Sequence, residues 1–148
     1  MNYLIVANGP FLTKARLKNL AKNAIIVALD GAANKLIHLD ILPQLILGDL
    51  DSLQAEERLH LVKKIKLPDQ NLTDFQKALQ FIKREATSIH VACALGGRLD
   101  HEQAAIRSLI AEYSPQCPIY LHGEQQILEY AENKTIHIHG KHRDICGF

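Results

Sequence analysis

Strand-like runs alternating with amphipathic stretches predict an α/β fold: a doubly wound, mostly parallel, Rossmann-like sheet, followed by the start of an antiparallel β-sandwich. Three observations carry this expectation. Short apolar runs rich in β-formers recur at 3–7, 24–30, 44–48, 88–95 and 118–123. Between them lie segments whose apolar residues recur at helical spacing, with charged residues on the opposite face. Polar turns close the runs, as at Asn8-Gly9-Pro10, Asp30-Gly31 and Gly96-Gly97.

Taken in order, "YLIVA" (3–7) reads as a buried strand ending in a turn. Residues 12–23 place Leu12, Ala15, Leu17, Leu20 and Ala21 on one helical face, with lysines on the other. A strand at 24–30, a short helix at 32–40 and a strand at 44–48 follow. Residues 54–65 have helical spacing, with Ser52 as a cap and Glu56 and Glu57 near the helix start. Residues 73–86 read as a helix with Thr73 as N-cap and Gln76 three positions on, a capping box. A strand at 88–95, a helix at 101–113 and a strand at 118–123 complete the alternation. From about 119 the pattern changes to strand-like pieces ("IYLHG", "QILEYA", "KTIHIHG") joined by polar turns. The expected division is an α/β nucleotide-binding domain at 1–118 and the beginning of a β domain at 119–148. The ending at "RDICGF" reads as that of a fragment.

The 148 residues suit one domain, with 47% hydrophobic residues and 22% charged. Seventeen basic against 16 acidic side chains leave a net charge of +1, which argues against a polyanion-binding surface and so against nucleic acid. Cys93, Cys117 and Cys146 form no CxxC and no even set, so a reducing compartment fits. No apolar run approaches the ~20 residues of a membrane span, and "MNYLIVANGP" lacks a basic n-region. The expected location is the cytoplasm.

Carboxylates collect where strands end or helices begin, which in open α/β sheets is where ligands bind. "DGAAN" holds Asp30 and Asn34; "GDLDS" holds Asp49 and Asp51; "PDQNLTD" holds Asp69, Gln70, Thr73 and Asp74; "GGRLDH" holds Arg98, Asp100 and His101. Asp49 and Asp51 repel each other across one residue, a cost that a hard cation offsets. Mg²⁺ binds through one or two carboxylates plus substrate phosphates. Glycines let backbone approach phosphate oxygens, and an arginine clamps them bidentately. The set suggests phosphoryl or pyrophosphoryl transfer, where positioning and charge neutralisation do most of the catalysis. Each turn alone also has an ordinary reading as a cap, a turn dipeptide or a solvated face; their convergence favours the chemical one. His137 and His139 share one face of a strand-like run, but no further ligand completes a zinc set. Neither a P-loop nor a G-x-G-x-x-G is present.

The ordered motifs "LDGAANKL", "LGDLDS", "PDQNLTDFQKAL" and "LGGRLDH" resemble the thiamin pyrophosphokinase family over about residues 3 to 123, and "GKHRDICGF" resembles its β domain. The resemblance implies transfer of the pyrophosphoryl group of ATP to thiamin with Mg²⁺, on an α/β domain followed by a β-sandwich, in a homodimer. It implies Asp49, Asp51, Asp74 and Asp30 as metal ligands, with Asp100 joining Asp49, Asp51 and Asp74 among the catalytic carboxylates. The same resemblance implies that Asn34 and Arg98 would contact the nucleotide, that Gln70 and Asp74 would face thiamin and the transferred phosphates, and that Thr73, Lys77 and Asp100 would support the same cleft. Two departures stand out: Asn71 gives "DQN" where similar members often carry "DQD", and most of the β-sandwich is missing. Alternative readings are another metal-dependent nucleotide-processing enzyme, such as a nucleotide-sugar transferase or an aspartate-nucleophile phosphatase, and a non-catalytic nucleotide-binding fragment. The phosphatase pair usually follows the first strand, here it follows the third; the transferase leaves "GGRLDH" and "TDFQKAL" unused.

Overall fold

The computed structural model describes residues 1–54, 57–67, 72–141 and 144–147. Its strands are β1 (Asn2–Val6), β2 (Ile25–Leu29), β3 (Leu45–Gly48), β4 (Lys63–Lys66), β5 (Ser88–Ala92), β6 (Ile119–His122) and β7 (Ile127–Glu129). Its α-helices are α1 (Lys14–Leu20), α2 (Ala32–His38), α3 (Asp74–Ile82) and α4 (Leu99–Ala111). All seven strands form one sheet in the order β4-β3-β2-β1-β5-β6-β7. Every pairing is parallel except that of β7 with β6.

Alternation along the strands builds two cores. Tyr3 and Ile5 of β1 join Val27, Leu47 and Val91 under α3 and α4, where Phe75, Leu79, Ala105 and Leu109 meet them. Leu4 and Val6 face the opposite side with Ile26, Ala28 and Ile46, covered by Leu17 of α1 and Leu36 of α2. Burial on both faces is why the central strands read as unbroken apolar runs. The expected α/β, mostly parallel fold is the one found.

The helix expected at 54–65 is not formed. Its described part is a 3₁₀ turn at Glu57–Leu59 followed by β4, which pairs with β3 from Leu45↔Lys63 to Gly48↔Lys66. Leu59 and Val62 are buried against the α2 side, so the spacing that suggested a helix serves a turn and an edge strand. Lys63, Lys64 and Lys66 stand on that edge, where charge discourages further strand pairing. Lys64 Nζ donates to the carbonyls of Leu59 and Val62, closing the turn. Ser52 caps no helix, and Glu56 lies outside the described residues. The capping box at α3 is present: Thr73 Oγ1 accepts from Gln76 N–H, and Gln76 Oε1 accepts from Thr73 N–H.

Two boundaries also shift. α4 begins at Leu99 rather than 101, which places Asp100 in its first turn. Residues 119–122, expected to open a separate β element, form β6, parallel to β5 within the main sheet. Among the described residues of 134–140 no strand forms. No α-helix of the described residues is long and apolar enough to cross a membrane.

The topology sets where a ligand can sit. After β1 the chain builds β2, β3 and β4 outward on one side, then crosses to the other flank of β1 for β5. The helices that follow β1 and β5, α1 and α4, cover opposite faces of the sheet, leaving a crevice at the switch point.

Candidate active site

A cleft of about 540 Å³ opens at that switch point. Its floor comes from Asn8 and Gly9 after β1 and from Cys93 and Ala94 after β5; Gly9 N–H donates to the Cys93 carbonyl at 3.0 Å. Asp30 enters from β2, Thr73 and Asp74 from the start of α3, and Arg98 and His101 from the start of α4.

The rim is locally strained. Asp30, Leu50 and Cys93, each just beyond a strand end, have positive φ of 41°, 68° and 63°. For non-glycine residues this costs on the order of 1 kcal/mol each, and such strain clusters at functional sites. At Leu50 the conformation is held by its neighbours: Asp51 N–H donates to Asp49 Oδ1 at 3.1 Å.

Asp30 carries the clearest signal. Its Oδ1 is buried with no hydrogen-bond partner in the structure. An unsatisfied carboxylate oxygen inside a protein costs several kcal/mol unless a donor or cation meets it. Gly48, with φ +148°, makes room beside it: a Cβ there would sit 3.1 Å from Asp30 Cβ and 3.5 Å from Asp74 Oδ2. The missing side chain therefore lets Asp30 and Asp74 approach the same point.

Asp74 is positioned by Lys77, whose side chain is only 10% exposed. Lys77 Nζ donates to Asp74 Oδ1 at 3.1 Å and to the Leu67 carbonyl at 3.1 Å, tying α3 to the strand that precedes it. Arg98 and Asp100 form a bidentate pair, with Nε to Oδ1 at 3.1 Å and Nη2 to Oδ2 at 2.7 Å. That pairing holds the Asp100 carboxyl below its ordinary range and raises the Arg98 guanidinium. Both are exposed, so the arginine is free to exchange its carboxylate for a phosphate.

The expected site residues thus divide. Asp30, Thr73, Asp74 and Arg98 line the one cleft. Asp49 and Asp51 stand exposed on the loop after β3, beside Gly48 but outside the cleft lining. Asn34 does not reach the cleft: its Nδ2 donates to the Ser52 carbonyl at 2.8 Å and its Oδ1 accepts from Gln54 N–H at 3.1 Å. Its amide organises the Asp49–Asp51 loop. Lys77 and Asp100 support lining residues rather than lining the cleft themselves. Gln70, with Asp69 and Asn71, lies outside the described residues.

Among the described residues no three His, Cys, Asp or Glu side chains gather into a metal cluster, so Asp30, Asp49, Asp51 and Asp74 do not form a closed cage. They still fit Mg²⁺, which is held by few carboxylates and completes its shell with water and phosphate oxygens. The orphaned Asp30 oxygen and the hard oxygen donors of the β3 loop are the residues suited to it.

Sequence reading missed Asn8 and Gly9 as lining residues, whereas His101, singled out with the "GGRLDH" turn, does line the cleft. The signal was available: "ANGP" ends the first strand, and the first strand flanks the switch point in this topology. Lys35 was missed as a support; its Nζ donates to the Asn8 and Gly9 carbonyls at 3.2 Å each and lies 5.0 Å over the Phe11 ring.

Residues 17–121 match the model of the thiamin pyrophosphokinase catalytic domain. The chain belongs to this family. It is 33% identical over 124 residues to thiamin pyrophosphokinase 1 of Caenorhabditis elegans, covering 76% of this chain and 51% of that protein. A crystal structure of a probable thiamine pyrophosphokinase from Staphylococcus saprophyticus superposes with a TM-score of 0.67 at 29% identity, over 84% of this chain and 66% of that one. The thiamine pyrophosphokinase structure from Bacillus subtilis shares the fold, with a TM-score of 0.69 at 22% identity, over 82% of this chain and 60% of that one. The chain spans about half the length of the curated relative it matches.

Proposed function

We propose that this chain transfers the pyrophosphoryl group of ATP to the hydroxyl of thiamin, releasing AMP and thiamin pyrophosphate. The observation that carries the reading is the single cleft in which the unpartnered Asp30 oxygen, Asp74 and Arg98 meet. Attack of an alcohol on the β-phosphorus needs polyphosphate charge neutralised and the alcohol held in line. Mg²⁺, held by Asp49 and Asp51 with Asp30 and Asp74, would supply that neutralisation.

The chain's own residues do the remainder. Arg98 leaves Asp100 to clamp a phosphate. Thr73 caps α3 so that Asp74 stands in its first turn, and Lys77 fixes the orientation of that carboxylate. Asp74 lines the cleft and Asp100 does not, so Asp74 is the carboxylate placed to accept the alcohol proton. Gln70 faces thiamin and the phosphates, and Asn34 shapes the metal loop. We place the enzyme in the cytoplasm as a homodimer, without nucleic-acid or membrane partners.

Incubation with ATP, thiamin and Mg²⁺ tests the reading: thiamin-dependent AMP is expected, and ADP as the sole nucleotide product would overturn it. Asp49→Asn and Asp51→Asn are each expected to abolish turnover with the fold retained. Activity within a factor of two of the parent would remove those residues from the metal role.

A further inference from the structure

An exposed lysine ordinarily leaves its strongly hydrated ammonium in water. Lys35 of α2 is exposed, yet its ammonium is held. Its Nζ donates to the carbonyls of Asn8 and Gly9 at 3.2 Å each and lies 5.0 Å over the Phe11 ring. Among the described residues no carboxylate forms a salt bridge with it. The lysine is thus committed to one segment, residues 8–11, and Asn8, Gly9 and Pro10 of that segment line the cleft.

The turn has few other polar handles. Gly9 N–H donates to the Cys93 carbonyl at 3.0 Å. The peptide joining Asn8 to Gly9 is therefore held at both ends, its oxygen by Lys35 and its nitrogen by the residue after β5. The next peptide precedes Pro10 and has no N–H. Its carbonyl is its one polar group, and Lys35 takes it. Gly9 admits no side chain, since a Cβ there would collide with the Cys93 carbonyl oxygen.

The preceding residue on α2 does the same for the loop that carries Asp49 and Asp51. Asn34 holds that loop through the Ser52 carbonyl and the Gln54 N–H. The two loops converge at Gly31, the residue after Asp30: a Cβ there would fall 2.7 Å from Asn8 Nδ2 and 3.4 Å from Ser52 Cβ. Consecutive residues of one helix thus brace the turn after β1 and the acidic loop next to the residue whose buried oxygen has no partner.

We infer that Lys35 is a positioning residue for the transfer: it fixes the Asn8–Pro10 turn so that cleft floor and acidic loop keep the spacing that in-line attack requires. This rests on the proposed reading of the cleft as a pyrophosphoryl-transfer site. Lys35 is not a lining residue, and its ammonium is turned to the carbonyls and the ring. Its removal therefore acts on alignment, which governs kcat, rather than on ground-state affinity.

Lys35→Met and Lys35→Arg, each in the whole chain, test this by kinetics of thiamin-dependent AMP formation, by Tm and by hydrogen exchange of the Gly9 amide. Lys35→Met should lower kcat about tenfold with KM for ATP within about twofold, and speed Gly9 exchange about tenfold. Its Tm should stay within about 3 °C of the parent's. Lys35→Arg keeps the charge, offers a fork to the two carbonyls and stacks on Phe11, so it should recover most of kcat and the slow exchange. A Lys35→Met protein with the parent's kcat and Gly9 exchange overturns the assignment. So does a loss of kcat that tracks a fall in Tm and that Lys35→Arg does not recover, the mark of a merely structural role. If the parent forms no AMP, the pyrophosphoryl-transfer reading fails and the positioning role falls with it, whereas an active parent beside an equally active Lys35→Met defeats the positioning role alone.

Discussion

Lowering the pH from 7 to 4.5 should destabilise this fold through one pair of histidines. His90 on β5 and His122 on β6 are cross-strand neighbours, with Nδ1 of the first 2.8 Å from Nε2 of the second. One ring must donate and the other accept, so the accepting imidazole is neutral and a second proton on the pair breaks the contact. His122 is only 6% exposed. Burial, then the His90 ring, then Arg16 push its titration from 6.5 down to about 4. Burial also lowers His90, whose ring stacks on Tyr120 with centroids 5.0 Å apart. The folded pKa lies below the unfolded one, so the native state resists a proton that the unfolded chain takes up. The stabilisation is complete above pH 6.5 and is lost as the pH falls towards 4. Each pH unit in that window costs about 1.4 kcal/mol, so His122 alone accounts for about 3 kcal/mol. That is a large share of the ~5–15 kcal/mol typical of a domain. Urea unfolding of the parent and of His122→Gln at pH 7, 5.5 and 4.5 measures it, with carboxylate titration common to both. Between pH 7 and 4.5 the parent is expected to lose about 2 to 3 kcal/mol more than the variant. Parallel pH slopes for the two proteins would refute the reasoning.

Other outcomes follow from the same contacts. Lys77→Met leaves Asp74 without its partner and should cost about 2 kcal/mol in chemical denaturation, together with at least a tenfold loss of kcat. Gly48→Ala adds a Cβ 3.1 Å from that of Asp30 at a φ unsuited to side chains, and should reduce kcat/KM and Mg²⁺ response more than it lowers Tm. Leu47→Ala opens a cavity in a fully buried strand and should cost about 2–5 kcal/mol by urea unfolding, without selectively changing nucleotide affinity. Thr73→Ala removes one half of the capping box and should cost about 1 kcal/mol, read as earlier fraying of α3 by hydrogen exchange.

The sequence by itself determined the layering of this protein. Residues such as Leu4, Ile5, Ile46 and Val91 form runs too apolar for a solvated sheet, so helices had to cover both faces. It also placed Asp30, Asp49, Asp51 and Asp100 near turns, because glycine and acid after a strand mark the carboxyl rim, and it marked the α3 cap at Thr73 and Gln76. The tertiary structure decided what local pattern leaves open. Residues 54–65 have helical spacing, but the unpaired edge of β3 offers backbone partners to Lys63–Lys66, and sheet pairing wins. Residues 119–122 looked like the start of another element, yet the free flank of β5 took them into the sheet. Strand order alone made "ANGP" part of the cleft, because a crossover next to β1 is a long-range event with no local signature. The division among the candidate residues was likewise settled in three dimensions. Asn34 and Asp30 are neighbours in one motif, but a helical turn carries Asn34 to the β3 loop while the strand end leaves one oxygen of Asp30 buried and unpartnered in the cleft.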